Sequence, residues 1–266
     1  MKLFQVDAFA DRPFAGNPAG VCVLSDKRPD SWMLNVAREM NLSETAFLLR
    51  ERDGYSLRWF TPKTEVSLCG HATLASAHIL WEEKLEAEDT TLRFHTQSGT
   101  LQARKAGGRV EMDFPARLVE SADDNSEINE SLQVSPVSVY TGKYNTNGDL
   151  FLLEVESEDI VRRIAPDYQR LLSTNALGVI VTSRSSGPKY DFVSRFFAPA
   201  VGINEDPVTG VAHCYLTPYW GTRLGKKEMV GYQVSERSGI IHCTWENERV
   251  WLGGNATTVF KAELLV

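Results

Sequence analysis

Apolar and polar side chains alternate along Leu3-Phe4-Gln5-Val6-Asp7-Ala8-Phe9, the period of a half-buried strand. Residues 21–24 form a short apolar run that reads as a buried strand. Met33, Val36, Ala37 and Met40 fall at helical spacing and predict a helix over 32–40. Residues 46–49 and 55–60 read as two strands around the turn Arg52-Asp53-Gly54. An Ala-, Leu- and Ile-rich stretch predicts the main helix over 70–83. Strands follow near 91–94, 99–104 and 109–114, the last two joined by a hairpin turn at Gly107-Gly108.

The same plan recurs downstream. Residues 178–181 and 190–197 read as strands, and a helix starts near Thr209-Gly210. Pro218 falls inside that helical pattern and predicts a kink or an early stop. Strands near 231–235, 239–244 and 249–253 close the pattern. The recurrence extends to residue identity. Leu57-Arg58-Trp59-Phe60-Thr61-Pro62 resembles Ser194-Arg195-Phe196-Phe197-Ala198-Pro199 at an offset of 137. The offset then becomes 140, pairing Gly70 with Gly210, Ala72 with Ala212, Ser98-Gly99 with Ser238-Gly239 and Arg109-Val110 with Arg249-Val250. Four patches in one order imply an internal duplication. The expected organisation is an N-terminal half over 1–116, a linker over 117–130 containing the acidic stretch 120–127, and a C-terminal half over 131–266. Strand-dominated halves with one central helix each give an α+β class. Like halves usually enclose a groove, the default place for a small molecule.

Composition narrows the function. The 266 residues carry a formal net charge of −7 with no basic block, so nucleic acid is not an expected partner. No apolar run approaches the ~20 residues of a membrane span. An acid at position 7 sits where a secretory signal would be apolar, so a cytoplasmic location is expected. Cys22, Cys69, Cys214 and Cys243 form no C-x-x-C pair and lack zinc-site spacing. Cys22, Cys214 and Cys243 read as small buried hydrophobes.

Candidate chemistry gathers in two loops that enter the predicted main helices, 66–71 and 203–210. At offset 137 Cys69 falls opposite Asp206. Helix N-termini present free N–H groups and partial positive charge, which suits an anion such as a carboxylate. Gly70 and Gly210 allow close backbone approach, although glycines also serve plain turns. A thiol at a helix N-terminus has its pKa lowered. His71 and His78 share a helix face but lack a third ligand nearby, so no metal is expected. His95, His213 and His242 read as structural. A further candidate, Glu44, lies in Asn41-Leu42-Ser43-Glu44-Thr45-Ala46-Phe47, between a helix and a strand, where a lone acid is usually solvated.

Five motifs in order make the chain recognisable: residues 14–21 (Phe-Ala-Gly-Asn-Pro-Ala-Gly-Val), 41–47, Arg58-Trp59-Phe60-Thr61-Pro62, Leu68-Cys69-Gly70-His71-Ala72-Thr73 and Glu205-Asp206-Pro207-Val208-Thr209-Gly210. Together they resemble the phenazine-biosynthesis PhzF-like family of the diaminopimelate epimerase-like superfamily, over essentially the whole chain. The resemblance implies two pseudo-symmetric halves, each a curved sheet or barrel around a central helix, with an active site in the cleft. It implies a homodimer that needs no cofactor. The superfamily's racemases place one Cys in each half as acid and base. By the resemblance Cys69 matches the first such position and Asp206 falls at the second, which disfavours a two-thiol racemase. PhzF-like members use a carboxylate, which falls on Glu44, with His71 and Asp206 carried over beside it.

The reaction so implied is a proton shift on a small unsaturated carboxylate, as in isomerisation of trans-2,3-dihydro-3-hydroxyanthranilate. Glu44, His71 and Asp206 are the expected catalytic residues. Cys69, Gly70, Thr209, Gly210 and Val211 are the expected substrate contacts. Val211 stands where the family motif often has Ser, removing a hydroxyl that could bond the substrate. Two alternatives stay open: an amino-acid epimerase or racemase using Cys69, and a non-catalytic dimeric binding protein on an enzyme scaffold.

Overall fold

A computed structural model describes residues 1–145 and 148–266. The chain divides into two compact units, one of Met1–Phe114 with Trp251–Val266 and the other of Pro115–Val250. The first unit begins with β1 (Lys2–Ala8), β2 (Asn17–Leu24), α1 (Asp30–Met40), β3 (Glu44–Glu51), β4 (Gly54–Phe60) and β5 (Glu65–Val66). It continues through α2 (Gly70–Glu82), β6 (Leu92–Thr96), β7 (Gly99–Ala106) and β8 (Arg109–Pro115). The second unit opens with β9 (Glu120–Ser121), α3 (Ser126–Leu132), β10 (Ser138–Asn145), β11 (Gly148–Glu154), α4 (Glu158–Arg163) and α5 (Tyr168–Leu172). Then come β12 (Ala176–Arg184), β13 (Phe192–Ala198), β14 (Ile203–Glu205), α6 (Gly210–Leu224), β15 (Glu228–Gln233) and β16 (Gly239–Glu246). β17 (Arg249–Gly254) crosses the boundary, and β18 (Ala256–Glu263) lies in the first unit.

The duplication holds at the level of strand pairing. In the first unit β1–β2 is antiparallel, β2–β3 parallel, β3–β4 antiparallel, β4–β6 parallel and β6–β7 antiparallel. In the second, β10–β11, β11–β12, β12–β13, β13–β15 and β15–β16 repeat that series of polarities. The parallel steps need long crossovers, supplied by α1 and α2 in one unit and by α4–α5 and α6 in the other. The duplicated motif also repeats an ion pair. Arg58 grips Glu65 bidentately at 2.7 and 2.7 Å, and Arg195 grips Glu205 at 2.7 and 2.8 Å.

Each unit curves its sheet around one helix. Ten of the 13 residues of α2 are buried, so the helix is enclosed rather than amphipathic. It packs on β1, β2, β3 and β18. α6 packs on β15 and β16. α1, by contrast, buries only Met33, Val36 and Ala37, the stripe its spacing predicts. The turn at Gly107-Gly108 is left-handed at both glycines, φ +57° and +80°. Gly16 (φ +67°) is required in the loop after β1: an added Cβ would lie 2.2 Å from the Ala8 carbonyl oxygen.

Three expectations are corrected. Residues 117–130 are not a bare linker: β9 pairs with β10, and Asn125 caps α3 by accepting the Ile128 N–H at 3.1 Å. Burial of Ile128 and Leu132 then holds that helix down. Residues 251–266 belong with the first unit rather than closing the second, because β18 pairs antiparallel with β1. Pro218 does not stop α6, which runs on to Leu224. A proline deprives the carbonyl four residues earlier of its donor. That carbonyl, on Cys214, accepts the Arg117 N–H at 3.0 Å instead.

Candidate active site

The first unit gathers Glu44, Cys69 and His71. Asn41 closes α1 in the left-handed conformation (φ 49°), and the chain enters β3 at Glu44. Pairing of Glu44 with Ala19 on β2 fixes its depth, and the side chain is buried. Cys69 is the extended N-cap of α2, and His71 is the second residue of that helix. His71 Nε2 lies 3.3 Å from Glu44 Oε2 and 3.4 Å from Ser43 Oγ, while Nδ1 lies 3.5 Å from Cys69 Sγ. Burial pushes the imidazole down to a pKa of about 3, so His71 is neutral at ordinary pH. The 3.3 Å approach of its Nε2 to Glu44 is therefore not a pairing of opposite charges. A neutral imidazole carries one donor and one acceptor nitrogen. It can meet Glu44 in either state, donating to the carboxylate or accepting from the acid.

The second unit gathers Asp206, Thr209, Gly210 and Val211 at the start of α6. Asp206 follows β14, and its N–H donates to the Phe196 carbonyl at 3.1 Å. The Thr209 hydroxyl donates to Asp206 Oδ2 at 2.6 Å. Gln233, at the end of β15, accepts the Thr209 N–H at 2.9 Å. Its amide nitrogen donates to the Asp206 carbonyl at 2.6 Å and to Thr209 Oγ1 at 3.1 Å. All three of these side chains are buried. Gly210 is buried as well, while Val211 is half-buried.

A match to the phenazine biosynthesis-like protein family extends over residues 6–262. The chain belongs to that family. An uncharacterized isomerase of Halalkalibacterium halodurans is 48% identical over 265 residues, covering 99% of this chain and 98% of that one. The crystal structure of a PhzF-family protein from Enterococcus faecalis superposes with a TM-score of 0.92 at 43% identity, over 100% of this chain and 99% of that one. A probable proline racemase from Agrobacterium radiobacter has the same fold, with a TM-score of 0.65 at 10% identity over 100% and 93% of the two chains.

Within this PhzF-family chain, one sequence correspondence needs correction. Cys69 and Thr209 are the N-caps of α2 and α6, each directly before a matched glycine. Cys69 therefore corresponds to Thr209, and Asp206 lies three residues further upstream. The offset of 137 holds through the Arg58 and Arg195 strands but not at the helix starts. Both cap carbonyls accept from a side chain one turn later: Thr73 Oγ1 donates to Cys69 at 2.5 Å, and His213 Nδ1 to Thr209 at 2.8 Å.

Glu44, Cys69 and His71 each present a donor atom within 4.8 Å of the others, close enough to raise metal binding. The imidazole, however, turns Nδ1 to the thiol and Nε2 to the carboxylate, on different edges of the ring. One ion can bond only one of those nitrogens, and the other would still face its own neighbour. Cys22, Cys214 and Cys243 are buried free thiols, pushed up to pKa values of about 11, 12 and 12 by desolvation. They are inert packing residues, as expected. Ser43 and Gln233 were not among the expected site residues. Ser43 sits inside a recognised motif beside Glu44. Gln233 carries no motif, and its part depends on reach from a neighbouring strand.

Proposed function

We propose that this PhzF-family protein is a cofactor-independent isomerase that moves a proton on a small unsaturated carboxylate, with Glu44 as the proton carrier. The observation that carries the reading is a buried carboxyl group 3.3 Å from a neutral imidazole. Desolvation makes a carboxylate a stronger base, and a neutral histidine serves both its protonation states without itself becoming charged. Glu44 takes a proton from a carbon beside the unsaturated system, and the electron pair moves into that system. Glu44, or His71 beside it, returns the proton to another carbon. The shift leaves oxidation states unchanged, so no redox cofactor is called for. Asp206 orients the substrate or shares the proton. Backbone N–H groups at the starts of α2 and α6 suit the substrate carboxylate.

The name of the Halalkalibacterium relative, an isomerase, supports the reaction class. The dihydro-hydroxyanthranilate reaction is the model for the chemistry, and Val211 argues for a different small carboxylate. A second reading, epimerisation by Cys69, draws on its contact with His71 Nδ1. It is weaker because the corresponding cap is Thr209, whose hydroxyl is far less acidic than a thiol. We also propose a homodimer.

The test is proton NMR in D₂O with a panel of small unsaturated and amino carboxylates, running wild type beside Glu44→Gln. Product, or deuterium entering one carbon, with wild type alone supports the proposal. Turnover by Glu44→Gln within a few-fold of wild type removes Glu44 from the role. Loss of activity on thiol alkylation but not in Glu44→Gln would favour Cys69. No exchange with any compound, together with tight binding of one, would favour a binding protein.

A further inference from the structure

The two units share one device for holding the loop before the main helix. In the first, Ser98 Oγ donates to the Ser67 carbonyl at 2.8 Å. In the second, Ser235 Oγ donates to the Pro207 carbonyl at 2.7 Å. Strand register and the like bonds match Ser98 with Ser235, two residues past Thr96 and Gln233, rather than with the Ser238 of the sequence repeat, because the extra residues lie within the second hairpin. Ser67 and Pro207 each lie three residues before a matched helix-starting glycine. The stitch belongs to the duplicated fold.

Gln233 does not. The pairing registers give its counterpart: Ser56 faces His95 on β6, and Val193 faces Tyr232 on β15. One residue on, Thr96 corresponds to Gln233. Thr96 donates to Gly99 within its own hairpin. The second unit alone places a long amide here, and it does so beside Asp206.

We infer that Gln233 is a positioning residue that sets the direction of the hydrogen bond to Asp206. The argument is one of donors and acceptors. Gln233 Oε1 accepts from the Thr209 N–H, which can only donate, so the amide cannot be flipped. Its nitrogen must then face the Asp206 carbonyl and Thr209 Oγ1. Receiving that N–H, the Thr209 hydroxyl turns its own proton to Asp206 Oδ2. The carboxylate thereby holds one rotamer with a donor on a fixed oxygen. Burial of every member removes water as a substitute. This inference rests on the reading that Asp206 serves the proton-transfer site.

The test uses the full chain. Gln233→Glu keeps the shape but replaces the donor nitrogen with an oxygen. Thr209→Val removes the hydroxyl at nearly constant volume, and Thr209→Ser restores it. Each is measured in the deuterium-exchange assay, by thermal unfolding, and by a crystal structure showing the Asp206 side chain. A hydrogen bond to a charged group is worth at least about tenfold in rate when lost. Thr209→Val and Gln233→Glu should therefore lower kcat by about tenfold or more while changing KM by less than about threefold, with Asp206 rotated. Thr209→Ser should recover most of the loss. Should Gln233→Glu fail to fold, Gln233→Met, of similar length but with neither amide group, takes its place under the same expectations. An unchanged Asp206 rotamer in Thr209→Val, or unchanged kcat, overturns the inference. Failure of the proton-transfer reading is seen separately, in Glu44→Gln, and leaves the Asp206 rotamer to decide this one.

Discussion

Lowering the pH from 7 to 5 puts a specific load on His213. The ring is fully buried beside Phe192. Nδ1 faces the Thr209 carbonyl at 2.8 Å, which only accepts, so Nδ1 carries the proton. Nε2 has no hydrogen-bond partner among the described residues. It points at Gly231, where an added Cβ would be 3.1 Å away. A second proton there would find no acceptor. Burial accordingly lowers the pKa from 6.5 to about 4, against a smaller upward pull from the Thr209 carbonyl. Above pH 6.5 neither folded nor unfolded chain binds the extra proton, and stability is undiminished. Between 6.5 and about 4 the unfolded chain binds it and the folded chain does not, so stability falls as pH falls. Below about 4 both bind it and the loss levels off. From pH 7 to 5 the expected loss from this one group is about 2 kcal/mol. His213→Asn keeps a donor near Nδ1 and cannot be charged. Urea unfolding followed by tryptophan fluorescence at pH 7, 6 and 5 compares it with wild type, other titrations being common to both. The variant should start less stable, because a cavity is left, but lose about 2 kcal/mol less on acidification. Equal losses in the two proteins would refute the argument.

Gly16→Ala should destabilise by at least about 2 kcal/mol in the same urea assay, since it combines a left-handed backbone with a clash against a backbone carbonyl. Arg195→Ala should cost more than Arg58→Ala, about 3–5 kcal/mol, because Arg195 is the more buried and also donates to the Ile164 carbonyl at 2.7 Å. Pro218→Ala should raise the melting temperature little, corresponding to under about 1 kcal/mol, because the Cys214 carbonyl is already taken by Arg117. A thiol reagent should leave Cys22, Cys214 and Cys243 untouched in the native protein and modify all three in urea, as read by mass spectrometry.

Local patterning made most elements of the first unit legible. Met33, Val36 and Ala37 announce α1, and the paired glycines at 107 and 108 announce a hairpin. The duplicated Arg58 and Arg195 strands then located their partners. What escaped depended on contacts distant in sequence. Nothing local in β18 tells that it will pair with β1. Pro218 reads as a breaker because the rescuing N–H of Arg117 lies far upstream. The same division runs through the site. Glu44, Cys69 and His71 lie in short motifs at element boundaries, where the chain must turn and a side chain can be held. Gln233 sits in an ordinary strand, and only the register of β15 against β13 brings it to Thr209.

The return of β18 to β1 has a consequence for biosynthesis. Residues 115–250 form an unbroken run of chain, so all of the second unit has left the ribosome before the first is whole. β1 is made before β2–β17 yet waits for β18 to receive its edge partner, with Met1 and Leu264 finally exchanging backbone hydrogen bonds at 3.0 and 2.7 Å. During that wait β1 is a bare strand edge, the kind of surface that chaperones shield and that pairs wrongly when crowded. The half begun first is the half completed last.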